Sequence, residues 1–365
     1  MPYDQITAKH TKLAAYFLGF LTLVLCVYIL MALKDILIPV TIAVFLTFLF
    51  HPLLLFLQRY SIPKWATLVL ILMLVGGFYY LIVLLFISSY DTFTKNMQIY
   101  SNNLISSLNQ ILLPFNITLK QFAAFLNIDA KLNFGSIMQK LFKAGLIQDV
   151  LSSATGILGD FFISLIFWLF MMSGKTKFEE RLKFAFSSRR EAVEENIEMI
   201  NTQLQSYIII KTILSFIAGV IVTTILFIYG IDFALIWGLL TFILNFIPNI
   251  GSFISTIAPI LISFLEYGFG FRTISLAVLL LVVHNIIGNL IEPHYLGRRM
   301  DLSPVFVLFS LIFWGWIWGI VGMFLAVPIA AFMKILFGSI EPLKPVAVLM
   351  GSRYEENINE YPGNL

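Results

Sequence analysis

Stretches of about 20 apolar residues follow one another along this chain with little polar sequence between most of them, and each can cross roughly 30 Å of hydrocarbon as a helix. The runs are Leu13 to Leu33, Ile36 to Leu57, Ala66 to Ser88, Leu151 to Ser173, Tyr207 to Tyr229 and Thr273 to Glu292. They mostly lack the strict alternation of barrel strands, and helices satisfy their own backbone hydrogen bonds in lipid. Composition agrees: 59% of the 365 residues are hydrophobic and 12% are charged, against roughly half and a quarter in soluble domains. The expected fold class is all-α, a polytopic helical membrane protein.

Two regions break the pattern. Phe233 to Ile247 runs into Pro248-Asn249-Ile250-Gly251, and Ser252 to Tyr267 then reaches Gly268-Phe269-Gly270. Arms of about 15 residues cover about 22 Å, which is short of a crossing. A re-entrant hairpin or a broken helix pair is expected here. Pro304 to Lys334 is interrupted by Gly315, Gly319 and Gly322, with Pro328 beyond them, and is expected to form a second hairpin. The chain then has about six full spans and two hairpins.

The organisation follows from these runs. Residues 1–88 hold the N-terminal end and three spans, and 89–150 an extracytoplasmic amphipathic helical segment. In that segment Met97, Leu104, Leu108 and Ile111 recur at helical spacing before a turn at Pro114 and Asn116. Residues 151–229 hold two spans joined by a charged cytoplasmic helix, 174–206; 230–336 form a core with both hairpins and one span; and 337–365 are a cytoplasmic tail.

Lysine and arginine placement orients the spans. Lys9 and Lys12, Arg59 and Lys64, the Lys175 to Arg190 cluster, Arg298 and Arg299, and Lys344 with Arg353 fall on one side. Both termini are then cytoplasmic, and the two hairpins enter from opposite faces, as in many secondary transporters.

Few residues carry chemistry. Asn285, Asn289 and Glu292 fall at i, i+4 and i+7, on one stripe of a helix. Polar groups in a bilayer are costly and generally face a bundle interior or a wet cavity. Amide oxygens leading to a carboxylate suit a cation or proton path. Glu292 also stands where the apolar run stops, so an interfacial pair with Arg298 or Arg299 is the competing expectation. Asn245 and the Pro248, Asn249, Gly251 and Ser252 break form a second constellation, because proline and glycine leave backbone groups available to a solute. Asp160, within the fourth span, is either a buried coupling acid or an interfacial residue. The four histidines and the single cysteine, Cys26, show no metal-ligand spacing, so no metal or cofactor is expected. No phosphate loop, dinucleotide fingerprint or Gly-x-Ser-x-Gly elbow occurs, which argues against an ATPase or hydrolase. A net charge of +3 gives nucleic-acid binding no support.

The ordered set Phe246-Ile247-Pro248-Asn249-Ile250-Gly251, Asn289-Leu290-Ile291-Glu292-Pro293, Gly297-Arg298-Arg299, Leu302-Ser303-Pro304 and Gly319-Ile320-Val321-Gly322 to Ala326-Val327-Pro328 resembles the autoinducer-2 exporter family of bacterial membrane permeases. Ser303 stands where members often carry histidine. The resemblance implies an inner-membrane transporter that forms a homo-oligomer, a pentamer being one such form. It does not fix the cargo: the family is named for members that export the signalling molecule autoinducer-2, while other members look like sodium/proton antiporters, and export of a small polar solute is the first expectation. A membrane scaffold without transport is the alternative from a different class, and it leaves the intramembrane polar stripe without a role.

Overall fold

The structure is a computed structural model that describes residues 2–118, 121, 147–185, 187, 190–296 and 301–352. Among the described residues it is helical, with no strand. The helices are α1 (Pro2–Ala32), α2 (Lys34–Arg59), α3 (Lys64–Leu112), α4 (Ile147–Ala185), α5 (Arg190–Ile228), α6 (Ala234–Leu244), α7 (Ile250–Tyr267), α8 (Phe271–Asn285), α9 (Glu292–Leu296), α10 (Pro304–Gly338) and α11 (Lys344–Met350). A π-helical segment, Ile286–Ile291, joins α8 to α9.

Both expected hairpins are present, and contacts define them. By length and apolarity alone α7 and α10 are each able to cross a membrane, but neither runs alone from end to end. In α10, Gly319 adopts φ 65° and ψ −142° and the chain reverses there. Ser310 Oγ donates to the Ala326 carbonyl at 3.0 Å, whereas 16 residues of straight helix would separate them by about 24 Å. A Cβ on Gly322 would lie 2.0 Å from the Trp314 carbonyl oxygen, so only glycine lets the two arms close. The first hairpin pairs α6 with α7. There Asn249 takes φ 61° and ψ −51°, and the Ile250 amide donates to the Pro248 carbonyl at 2.6 Å. This tight turn is rare and strained. A Cβ on Gly251 would lie 1.7 Å from the Leu244 oxygen.

The hairpins enter from opposite ends of the bundle. At one end Tyr267 Oη donates to the Gly230 carbonyl at 2.6 Å, which brings both feet of the first hairpin together. At the other end Lys334 Nζ reaches Asp301 Oδ2 at 2.7 Å, which joins the feet of the second. The tips meet in the middle. Phe246 lies 4.5 Å from Phe324 between ring centroids, with Phe45 of α2 against both. Ile247 packs among Leu311, Trp314, Ile317 and Trp318.

Around this core α2, α3 and α4 share a cluster of Ala43, Leu54, Ile71, Val75, Leu165 and Trp168. α1 touches the rest near its end, where Trp318 Nε1 donates to the Leu30 carbonyl at 3.1 Å. Phe17, Phe20 and Leu23 are more than half exposed, as suits a lipid-facing helix.

Two segments differ from expectation. The third span does not stop near Ser88 with a separate helical segment after it. α3 continues for 49 residues, about 73 Å, to Leu112, because no glycine or proline interrupts the chain from Phe78 to Leu113. The expected turn is present, with Asn116 left-handed after Pro114. Residues 174–206 are divided between two helices rather than forming one. α4 bends by 66° between Phe161–Gly174 and Lys177–Ala185, and α5 begins at Arg190, with Lys183 and Glu194 paired at 3.3 Å. Of the tail, the described residues 337–352 are docked: Ala347 and Met350 of α11 are buried, and the Met350 carbonyl accepts from the Ser303 amide at 2.8 Å.

Candidate functional site

A cavity of about 620 Å³ lies between the two hairpins. Its walls come from five places in the chain. The tip of the first hairpin supplies Asn245, Pro248, Asn249, Ser252 and Thr256, and the α8 to α9 helix supplies His284, Asn285, Gly288, Asn289 and Glu292. Tyr207 and Lys211 come from α5, Val307, Leu308, Leu311 and Val327 from the second hairpin, and Asp301 and Ser352 from its outer end.

The local sequence explains how these groups converge. Pro248 and Asn249 end α6 and start α7 inside the bundle, so the turn's polar groups stay at the tip. Asn245 is buried and its Nδ2 donates to Ser215 Oγ of α5 at 3.0 Å. On the facing helix Asn289 Nδ2 donates to Asn285 Oδ1 at 2.9 Å, and Asn285 Nδ2 donates to the Leu281 carbonyl at 2.9 Å. The π-helical segment between Asn285 and Glu292 widens the turn there, a feature frequent at functional sites. It keeps both asparagines and Glu292 on the cavity wall. His284 Nδ1 lies 2.9 Å from the Leu280 carbonyl and Nε2 lies 2.9 Å from Ser255 Oγ. With Nδ1 protonated, Nε2 accepts from the serine.

The strongest electrostatic feature is an ion pair that the sequence reading did not anticipate. Lys211 Nζ donates to Glu292 Oε1. Lys211 is 1% exposed, and an ammonium in such a place needs its partner. The interfacial alternative for Glu292 therefore meets a different cation: its partner is Lys211 of α5, while Arg298 and Arg299 lie outside the described residues. One signal pointed there, since Lys211 is a cation inside an otherwise apolar stretch, Ile208-Ile209-Ile210-Lys211-Thr212-Ile213-Leu214, and intramembrane charges mark functional or paired positions.

At the rim, Asp301 takes φ 39°. Its Oδ2 accepts from Lys334, and its Oδ1 accepts from Ser352 Oγ at 2.7 Å and the Ser352 amide at 3.2 Å. Partial burial works against this carboxylate, but the bonds from Lys334 and Ser352 outweigh it and hold its pKa below the ordinary range. The rim carboxylate is therefore charged, matched by Lys334 and tied to the tail.

The sequence-derived residues divide by role. Asn245, Pro248, Asn249, Ser252, Asn285, Asn289 and Glu292 line the cavity. Gly251, Gly319 and Gly322 do not line it and instead allow close approach or chain reversal at the tips. Gly315 faces the flexible Met323 side chain, with a built Cβ 2.8 Å from its Cγ, and Pro328 lies within the returning arm of α10. Asp160 belongs to α4, which contributes no described residue to the cavity, and its side chain lies outside the described residues. No group of three or more His, Cys, Asp or Glu able to hold a metal occurs among the described residues.

The chain is similar to known proteins along nearly its whole length. A family profile described as "AI-2E family transporter" matches residues 18–341. A Haemophilus influenzae protein named "Putative transport protein" is 29% identical over 325 residues, covering 87% of this chain and 90% of the relative. The AI-2 transport protein TqsA of Escherichia coli is 28% identical over 345 residues, covering 93% and 95%. With opposed hairpins around a polar cavity, apolar helices throughout and a match over residues 18–341, this multi-pass membrane protein belongs to the AI-2E transporter family.

Proposed function

We propose that the protein is a secondary transporter that exports a small polar solute, such as a signalling molecule, by alternating access through the cavity between the hairpins. The observation that carries this reading is the composition of the cavity wall. Amides from Asn245, Asn285 and Asn289, hydroxyls from Tyr207, Ser252 and Thr256, and the Lys211–Glu292 pair face one space of about 620 Å³. That volume suits a small solute, and the amides and hydroxyls replace its hydration. The name of the Escherichia coli relative, an AI-2 transport protein, supports a signalling cargo. The bacterial relatives support a cytoplasmic-membrane location, and the placement of basic residues supports both termini inside. The exposed apolar side chains of α1 suit both lipid and a neighbouring copy in a homo-oligomer.

A sodium/proton antiporter is the second reading, and the Lys211–Glu292 pair favours it. A cation or proton arriving at Glu292 competes with the tethered ammonium, so a bound cation and an intact pair exclude each other. Purified protein in vesicles separates the two. Solute efflux that needs Asn285 and Asn289 and survives Glu292→Gln supports the export reading. Sodium-driven collapse of an imposed pH gradient, lost in Glu292→Gln, supports the antiporter. No flux of either kind from well-folded protein overturns both and returns the scaffold.

A further inference from the structure

We propose that Asn96, Tyr100 and Asn103 of α3 form a latch on the feet of the first hairpin, closing the end of the solute path opposite Asp301 and releasing when the cavity opens to that side. This inference rests on the reading that solute passes through the cavity.

The cavity reaches the Asp301 end of the bundle. Toward the other end, beyond the Ser255 to His284 contact, the way is closed by Leu276 and Leu280, both fully buried, and by Ser263 Oγ against Thr273 Oγ1 at 3.1 Å. Opening that end requires the first hairpin to move against α5 and α8. Its contact with α5 is tight: Gly219 and Gly238 face each other, a Cβ on Gly219 would lie 2.7 Å from the Gly238 oxygen, and the Thr223 side chain of α5 fills the space over Gly238. Near the tip Asn245 Nδ2 also donates to Ser215 Oγ of α5 at 3.0 Å.

A polar network holds its feet to α3. Asp232, just before α6, accepts through Oδ2 from Asn96 Nδ2 at 2.6 Å and from Tyr100 Oη at 2.5 Å. Asn103 Nδ2 donates to the Glu266 carbonyl at 2.5 Å, at the end of α7. The three α3 residues fall at i, i+4 and i+7, so one helix face grips both feet at once. Tyr100 is 2% exposed, and its burial and the Asp232 carboxylate keep the phenol protonated far above its ordinary range, so it remains a donor. Within the hairpin the Asp232 amide donates to Glu266 Oε1 at 2.7 Å.

The closed latch also carries a cost. Glu266 Oε2 is buried without a hydrogen-bond partner, beside the Asp232 carboxylate. An unmet buried oxygen destabilises the state that contains it. Separation of the feet hydrates Glu266, which offsets the bonds lost by Asp232. Such a balance gives two states close in free energy, as a gate needs.

The test places one reporter cysteine at Ser252, in the cavity, after Cys26→Ser removes the native thiol. An impermeant maleimide is then added to either face of oriented vesicles. Tyr100→Phe, which keeps the buried ring, and Asn96→Ala with Tyr100→Phe are expected to label at least about three-fold faster from the Asp232 face. Their labelling from the Asp301 face slows. A second arm joins Asn96→Cys to Asp232→Cys with a short bifunctional maleimide, without the reporter, and solute flux is expected to stop. Labelling rates unchanged in Tyr100→Phe, or flux at the parental rate after cross-linking, overturns the latch. Labelling that responds while no solute moves supports the latch and overturns the transport reading beneath it.

Discussion

Lys211 and Glu292, separated by 81 positions in the chain, meet in the wall of the cavity and tie α5 to the segment that succeeds the π-helical turn. Their exposures are unequal, with 2% of the Lys211 side chain and 23% of the Glu292 side chain accessible. That inequality makes the cost of breaking the pair depend on which partner is removed.

Glu292→Gln leaves an ammonium buried without its counter-charge, and removing one partner of a buried pair costs about 3–5 kcal/mol. Lys211→Met leaves a carboxylate that still reaches the cavity, so the loss is smaller, about 1–2 kcal/mol after solvent screening. Lys211→Met with Glu292→Gln recovers most of the larger loss. Thermal unfolding of the purified protein in detergent, arranged as a double-mutant cycle, measures this. Equal losses for the two single variants, adding in the double, would show that the pair is not coupled.

The glycines at the hairpin tips rank by what a methyl group meets. Gly251→Ala and Gly322→Ala drive a Cβ onto backbone oxygens at 1.7 and 2.0 Å and should cost about 2–3 kcal/mol or prevent folding. Gly319→Ala meets nothing within 4 Å but forces a side chain into φ 65° and ψ −142°, near a region essentially reserved for glycine, at about 1–3 kcal/mol. Gly315→Ala meets only the flexible Met323 side chain and is expected to be mildest. Melting temperatures of the four variants test the order.

The rim should respond to acid and not to the neutral range. The folded pKa of Asp301 lies below its unfolded value of about 3.9. Its contribution is therefore complete above about pH 4 and is lost as pH falls through the lower folded value. Its side chain is 41% exposed, so the tie to Lys334 is worth no more than about 1 kcal/mol. Hydrogen exchange at the Ser352 and α11 amides should stay constant from pH 8 to about pH 5 and increase, after correction for intrinsic rates, only below about pH 4. Asp301→Asn should raise that exchange at neutral pH.

The two ends of the bundle give a topology test. Phe269, between α7 and α8, is exposed at the Asp232 end, and Ser352 is exposed at the Asp301 end. In a Cys26→Ser background, Phe269→Cys and Ser352→Cys should label from opposite faces of the membrane. Labelling from one face by both would contradict the opposed hairpins.

Much of this molecule was legible in its sequence, for identifiable reasons. Hydrophobic runs of membrane length permit few structures other than helices, since every backbone polar group must be satisfied within the segment. Pro248, Gly251, Gly319 and Gly322 act through their own backbones, so the hairpin breaks could be placed from local chemistry. Asn285, Asn289 and Glu292 lie close enough in sequence to stay on one helix face, even through a π-helical turn. What the tertiary structure alone decided is who meets whom across large separations. Lys211 became the partner of Glu292 because the rotation of α5 about its axis is set by packing against α6, at Gly219 and Gly238, and not by its own apolar pattern. The grip of α3 on Asp232 and Glu266 joins residues more than 130 positions apart, and it depends on an unbroken helix long enough to reach past the membrane. A helix that is apolar on nearly every side carries no mark of which side faces a neighbour, so its partners come from packing.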